Sequence, residues 1–315
     1  MCSIGIVGDL HIAPTPSNRM DDYFNTGIRK INEISQYCEH VVFLGDIFTN
    51  AKVDEQYTNF LITTLRKNIN NGNKYYTIIG NHDVQNELED RLLNSSLGTL
   101  YVAQVMNIIT PDNPIVIDCG NKKYRFNTTY VNFATAKSHL QNLRLGEDAI
   151  EDILLIHHQY DAGSLSFHQS DLEPICGPNC KKIFFGHDHC PLPQGRIIYP
   201  NFAVYRSGSI MRNKADDYNL TRQLYYYVLT EDNLTCQAVS TQPASEVFTM
   251  QSYTRENYQK KQFVKSVDSL VEKYTNNIST QSKFSIKTIL EELNTPVECM
   301  DYLQKKHTKI GEVLK

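Results

Sequence analysis

The sequence predicts an α/β chain: two packed sheets flanked by helices, followed by a small helical appendage. Three observations predict it. Strand-like apolar runs and helical stripes alternate with short links through the first 80 residues. More strand-like runs gather between residues 115 and 229. Beyond about residue 240 only helix-period stripes remain. Strand–helix alternation argues for parallel neighbours, and a surplus of strands argues for a second sheet.

The elements follow in chain order. Ser3–Val7 is a short apolar run cut off by Gly8. Phe24, Ile28, Ile31 and Ile34 then recur at helical spacing. Val41–Leu44 is a second apolar run, and Tyr57, Phe60, Leu61 and Leu65 form a second helical stripe. Tyr75–Ile79 closes a βαβαβ unit. Ile115–Ile117 and Tyr124–Tyr130 flank Cys119-Gly120-Asn121, which reads as a hairpin turn. Ile153–Ile156, Ile183–Phe185, Val204–Ile210 and Tyr225–Leu229 complete the strands. Gln242-Pro243-Ala244-Ser245 reads as a linker, so one domain is expected over residues 1–240 and a linker with a helical segment over 241–315. In that segment Phe263, Val267, Leu270, Val271 and Tyr274 trace one helix face, and Ile286, Ile289, Leu290 and Leu293 another. Thr295-Pro296-Val297-Glu298 is a capping box that starts a further helix. The 286–293 stripe has the i, i+3, i+4, i+7 spacing with which a helix docks on a partner.

Composition excludes several classes. With 41% hydrophobic and 21% charged residues, a wholly disordered chain is out. A net charge of −4 excludes a general basic coat for nucleic acid, so any such contact must be local. No apolar run is long enough to cross a membrane. The start, Met1-Cys2-Ser3-Ile4-Gly5-Ile6, lacks the basic segment of a signal peptide. The eight cysteines are therefore expected as reduced thiols in a cytoplasm.

Five of the apolar runs end in residues that bind metals. They are followed by Gly8-Asp9-Leu10-His11, Gly45-Asp46, Gly80-Asn81-His82-Asp83, His157-His158 and Gly186-His187-Asp188-His189. In open α/β sheets the site lies beyond the carboxyl ends of the strands, which would gather these side chains at one rim. Such a polar cluster is costly to bury unpaired, and metal ions resolve the cost. Imidazole suits zinc or iron, and carboxylate oxygen suits manganese or magnesium.

In these five motifs the chain resembles the calcineurin-like metallophosphoesterase superfamily, over residues 1–190. The resemblance implies a four-layer αββα sandwich and a binuclear centre of two divalent ions. One ion is expected on Asp9, His11 and His189, the other on Asn81, His157 and His187, with Asp46 bridging. It further implies a metal-bound hydroxide as nucleophile and His82 as the catalytic residue beside the leaving group. Manganese is the expected metal, with iron, zinc or magnesium as alternatives.

Other candidates have plainer readings. His158 is expected to point away from the metals, and Asp83 and Asp188 to orient neighbours. His40, His139, His168 and His307 read as packing or surface residues. Cys176, Cys180 and Cys190 read as buried turn thiols rather than a structural zinc site.

Within the superfamily, Gly45-Asp46 lacks the following Arg-Gly of the protein phosphatases and continues Ile47-Phe48, closer to the Mre11/SbcD nuclease branch. Tyr205-Arg206-Ser207-Gly208-Ser209-Ile210-Met211-Arg212 is similar to that branch's Ser-Gly-Ser segment with its following arginine. Thr49 departs from it, standing where the branch usually has Asp or His, and cannot carry charge toward His82. The resemblance implies DNA as substrate, a Rad50/SbcC-type coiled-coil ATPase as partner, and a homodimer. Size and composition suit a phage-encoded version in a host cytoplasm. A nucleotide or small-molecule phosphodiesterase or phosphatase on the same core, or a weakly catalytic DNA-repair subunit, is the alternative.

Overall fold

The computed structural model describes residues 2–146, 150–162 and 165–249. The chain begins β1 (Ile4–Val7), α1 (Tyr23–Tyr37), β2 (His40–Phe43), α2 (Glu55–Asn70), β3 (Lys74–Thr77), α3 (Ser96–Val102) and β4 (Asn107–Ile108). It continues β5 (Ile115–Cys119), β6 (Lys122–Thr128), α4 (Phe133–Asn142), β7 (Glu151–Ile156), α5 (Gln169–Leu172) and β8 (Cys180–Phe185). The last elements are β9 (Arg196–Ile198), β10 (Ala203–Tyr205), α6 (Asp217–Thr221), β11 (Leu224–Leu229), β12 (Leu234–Val239) and α7 (Ala244–Val247).

Two sheets form, in the orders β12-β11-β1-β2-β3-β4 and β5-β6-β7-β8-β10-β9. In the first, β1, β2 and β3 run parallel; in the second, β6, β7, β8 and β10 do. The period-2 pattern of each strand sorts its side chains into layers. Ile4, Ile6, Val42, Ile153 and Leu155 pack between the sheets with Phe126 and Phe184. Val41 and Phe43 face the other way, against Ile28, Ile31 and Ile34 of α1 and Leu61 and Leu65 of α2. Leu154 and Ile156 pack under Ala136 and Leu140 of α4. The result is the four-layer αββα sandwich. A one-residue slip of β7 would exchange its two apolar faces, so the layers fix the register.

The helices start where capping predicts. Asp22 accepts from the Asn25 amide at the head of α1, and Asp54 from the Gln56 amide at the head of α2. Cys119-Gly120-Asn121 makes the β5–β6 turn, with Gly120 at φ +70°.

One expected strand is shorter than its apolar pattern. The run 204–210 leaves the sheet after Tyr205, turning at Gly208 with φ +73°. Ile210 is buried by the helical layer instead of by strand pairing, so apolarity alone misread it. β12 escaped the pattern because it is an edge strand whose Thr235, Cys236, Gln237 and Ala238 are exposed. Val247 and Phe248 pack with Ala215. The stripes at 263–274 and 286–293 and the capping box at 295–298 lie outside the described residues. Among the described residues, no helix is long and apolar enough to cross a membrane.

Candidate metal centre

Register brings the motifs to one rim. Val7 pairs with Phe43 and Phe43 with Thr77, so the Asp9, Asp46 and Asn81 loops leave the first sheet together. Ile156 pairs with Phe185, so His157 and His187 leave the second sheet side by side. The turns are tight. His11, Asp46 and His187 hold φ of +51°, +50° and +73°, a conformation that costs a non-glycine residue about 1–3 kcal/mol and tends to mark functional sites. Gly45, at φ +90°, passes so close to His157 that a Cβ there would lie 2.6 Å from its Nδ1.

Two groups of donors converge. In the first, Nε2 of His11 lies 2.8 Å from Nε2 of His189, and Oδ2 of Asp9 lies 3.9 and 3.7 Å from the two. In the second, Oδ1 of Asn81 lies 3.1 Å from His157 Nε2 and 2.9 Å from His187 Nδ1. Asp46 stands between the groups, with Oδ2 3.2 Å from His157 Nε2 and 3.7 Å from His11 Nε2. Backbone contacts fix the carboxylates: the His187 amide donates to Asp9 Oδ1 and the His82 amide to Asp46 Oδ1. The Leu44 carbonyl lies 2.6 Å from His157 Nδ1, which turns Nε2 of that ring toward the site.

The electrostatics describe a buried set of bases that calls for cations. Burial pushes Asp9 up to about 7, with the Asp46 charge adding to it. Burial pushes His11 down to about 4, and His187 and His189 down to about 3. Burial acts in the same senses on Asp46 and His157, but their mutual attraction outweighs it. Asp46 is held below the usual carboxylate range and His157 is pushed up to about 10. Oδ2 of Asp9 and Nδ1 of His11 are buried without a hydrogen-bond partner. Leaving such atoms unpaired costs roughly 1–3 kcal/mol each, and an ion at Asp9 Oδ2 would remove that cost. The nitrogen and oxygen donors of Asp9, His11 and His189, and of Asp46, His157 and His187, fit two divalent ions.

The flanking residues are placed as follows. His82 is exposed and its ring meets that of His11 edge-on, with centroids 5.3 Å apart. Thr49 donates its hydroxyl to the His11 carbonyl at 3.1 Å, so it braces a ligand loop. Asp83 accepts from the Gly80 and Phe48 amides and ties two site loops together. Asp188 pairs with Arg206. His158 is buried against Phe133 and Phe167 with Nε2 3.0 Å from the Tyr130 carbonyl, and burial pushes it down to about 4. Cys176 is half-buried, Cys180 buried and Cys190 exposed. Away from the rim, Cys2, Glu39 and His40 form a third close group of donors.

Sequence reading missed a set of buried cations behind the ligand loops. Arg222 donates to the carbonyls of His189, Ser209 and Met211, at 2.6–2.9 Å. Lys30 donates to the Ile210 carbonyl at 2.6 Å, and Arg19 to that of Arg212. The segment they hold reaches Asp9, since the Ser209 hydroxyl and the Ile210 amide both donate to the Asp9 carbonyl. Lone basic residues, one on α1 and two in loops, carry no motif, and only the Ser-Gly-Ser segment they grip was visible.

A family model described as calcineurin-like phosphoesterase matches residues 2–191. No match was found among curated proteins. Among solved structures, the fold is similar to a dimetal phosphatase from Danio rerio, with a TM-score of 0.44 and 12% identity, covering 77% of this chain and 97% of that one. It is also similar to GAP50, the anchor in the inner membrane complex of Plasmodium, with a TM-score of 0.41 and 15% identity, covering 76% and 84%. Both TM-scores lie below 0.5, so the weight rests on the sequence match.

Proposed function

The chain belongs to the calcineurin-like phosphoesterase family, whose chemistry is metal-dependent phosphoester hydrolysis, and on that premise we propose that it cleaves phosphodiester bonds of DNA. The reading is an exo- or endonuclease subunit of the Mre11/SbcD type. The observation that carries the chemistry is the convergence of two donor groups on one rim with Asp46 facing both.

In this reading Asp9, His11 and His189 would hold one ion and Asn81, His157 and His187 the other, with Asp46 serving both. Manganese suits the carboxylate and amide oxygens of the set, and zinc or iron its imidazoles. Bound ions supply Lewis acidity toward the phosphoryl oxygens and a water of lowered pKa. The chain supplies the rest. Leu44 orients His157, Ser209 and Arg222 hold the Asp9 and His189 loops, and the exposed His82 gives a proton to the leaving oxygen.

The nuclease branch is supported by Gly45-Asp46-Ile47-Phe48 and by Ser207-Gly208-Ser209 with Arg212. A Rad50/SbcC-type ATPase partner and a homodimer extend that reading, and a phage origin rests on size and composition. Thr49 favours a second reading, a weakly catalytic subunit. Its hydroxyl serves the His11 backbone, and the His82 ring meets an imidazole rather than a carboxylate. Duplex DNA and a model diester, each given Mn²⁺, Mg²⁺ or EDTA, separate the readings. The nuclease cleaves both with Mn²⁺ and neither with EDTA. A small-molecule enzyme cleaves only the diester, and a weakly catalytic subunit binds metal and cleaves neither well.

A further inference from the structure

The loop leaving Asp46 and the loop leaving His82 part beyond the rim and flank an open cavity of about 580 Å³. Its polar lining is Asn50, Lys52, Gln85, Arg91, Asn94 and Ser95, with no carboxylate among the lining residues. Among the acids nearby, Asp90 is exposed beside Arg91, and three others are engaged elsewhere. Asp54 caps α2, Glu87 accepts from the Asn132 side chain, and Glu89 accepts from the Val131 amide. Two cations therefore face the cavity with amides and a hydroxyl around them, the lining of an anion site that also contacts sugar and base edges.

The walls are braced. The Ser96 amide donates to the Ala51 carbonyl at 2.8 Å, and the Val53 amide to Ser96 Oγ at 3.0 Å, joining the two loops at the far end. Asp83 joins them at the rim through the Gly80 and Phe48 amides. Arg91 Nη1 is steadied by Gln85 Oε1 at 3.3 Å. The cavity is also close to the chemistry. Gln85 is three residues past His82, at most roughly 11 Å of chain. Successive phosphates of one strand rise about 3.4 Å apart, so those next to the scissile one fall within that reach.

We propose that this cavity is the subsite for the strand on the leaving-group side of the scissile bond, with Lys52 and Arg91 contacting its phosphates. The proposal rests on the phosphodiesterase reading and narrows its substrate class to polynucleotides. The side follows from His82, which stands at the head of the cavity's own loop. A diester with no flanking phosphate gains nothing from Lys52 and Arg91.

The test compares the full chain with its K52A/R91A variant, both loaded with Mn²⁺, on a single-stranded oligonucleotide, a dinucleotide and bis(p-nitrophenyl) phosphate. The specificity ratio, oligonucleotide over diester in kcat/KM, is expected to fall roughly 5–10-fold, through KM. The salt dependence of the oligonucleotide KM should become shallower by a log–log slope of about 1.4, the loss of two single-strand phosphate contacts. The dinucleotide, with no phosphate beyond the scissile one, should behave as the diester does. An unaltered ratio and salt slope overturn the subsite and leave the nuclease reading standing. An equal loss on all three substrates also overturns it, since the residues would then only support the fold. If the wild-type chain cleaves the diester and ignores the oligonucleotide, the DNA reading falls and the subsite with it.

Discussion

Oδ2 of Asp46 lies 3.2 Å from Nε2 of His157, across the seam where the two sheets meet. The same oxygen lies 3.7 Å from His11 in the other donor group, so one carboxylate faces both. Asp46→Ala is therefore expected to lose both ions and not one. Metal analysis of the purified variant checks this; two ions retained per chain would end the bridging role.

His82 is placed to separate binding from chemistry, since it touches the ring of His11 but belongs to neither donor group. His82→Ala should keep both ions and lose roughly 10²–10⁴-fold in kcat, the usual worth of a positioned acid or base. Loss of metal in the variant would make His82 a ligand. A rate within a few-fold of wild type would mean that, with Thr49 turned to the backbone, the proton comes from elsewhere.

Metal binding should release protons. Near pH 7 the metal-free site keeps a proton on His157, whose pKa is pushed up to about 10, and a fraction of one on Asp9, at about 7. Both must ionise or lose a proton to bind a cation, so affinity falls as pH drops through 7. Binding heats measured near pH 7 in buffers of different ionisation enthalpy should differ by the protons released. Heats that are identical across buffers would contradict the buried acid–base pair.

How much of this was legible in the sequence differs by cause. The ligand loops were legible because each follows an apolar run that ends at a strand's carboxyl end, and parallel pairing carries them to one rim. The positive φ of His11, Asp46 and His187 was not legible, since Asp and His visit that conformation more readily than most residues yet adopt it only where tertiary contacts impose it. Residues 206–210 read as part of a strand, yet Ile210 is buried by the helical layer and its carbonyl is held by Lys30, distant in sequence. Arg222, Lys30 and Arg19 gave no signal because a buried cation that serves backbone carbonyls has no spacing to betray it.

Arg222 yields a prediction of its own. Its guanidinium holds three carbonyls, one of them on His189 of the first donor group. Arg222→Met should destabilise the chain by roughly 2–4 kcal/mol, since those buried carbonyls lose their donor. It should also weaken the ion held by Asp9 and His189 more than the other. Thermal unfolding with and without Mn²⁺, together with metal competition, reads both effects. Full stability, or equal weakening of both ions, would count against a bracing role.

The most direct measurement follows DNA cleavage and metal content in the same sample. The metal-stripped chain is titrated with Mn²⁺ while bound ions are counted and labelled duplex DNA is digested. The stripped chain is expected not to cleave, and cleavage should rise with the second ion and vanish again with EDTA. Cleavage without metal, saturation at a single ion, or a doubly loaded chain that hydrolyses a model diester but leaves DNA intact would contradict that expectation.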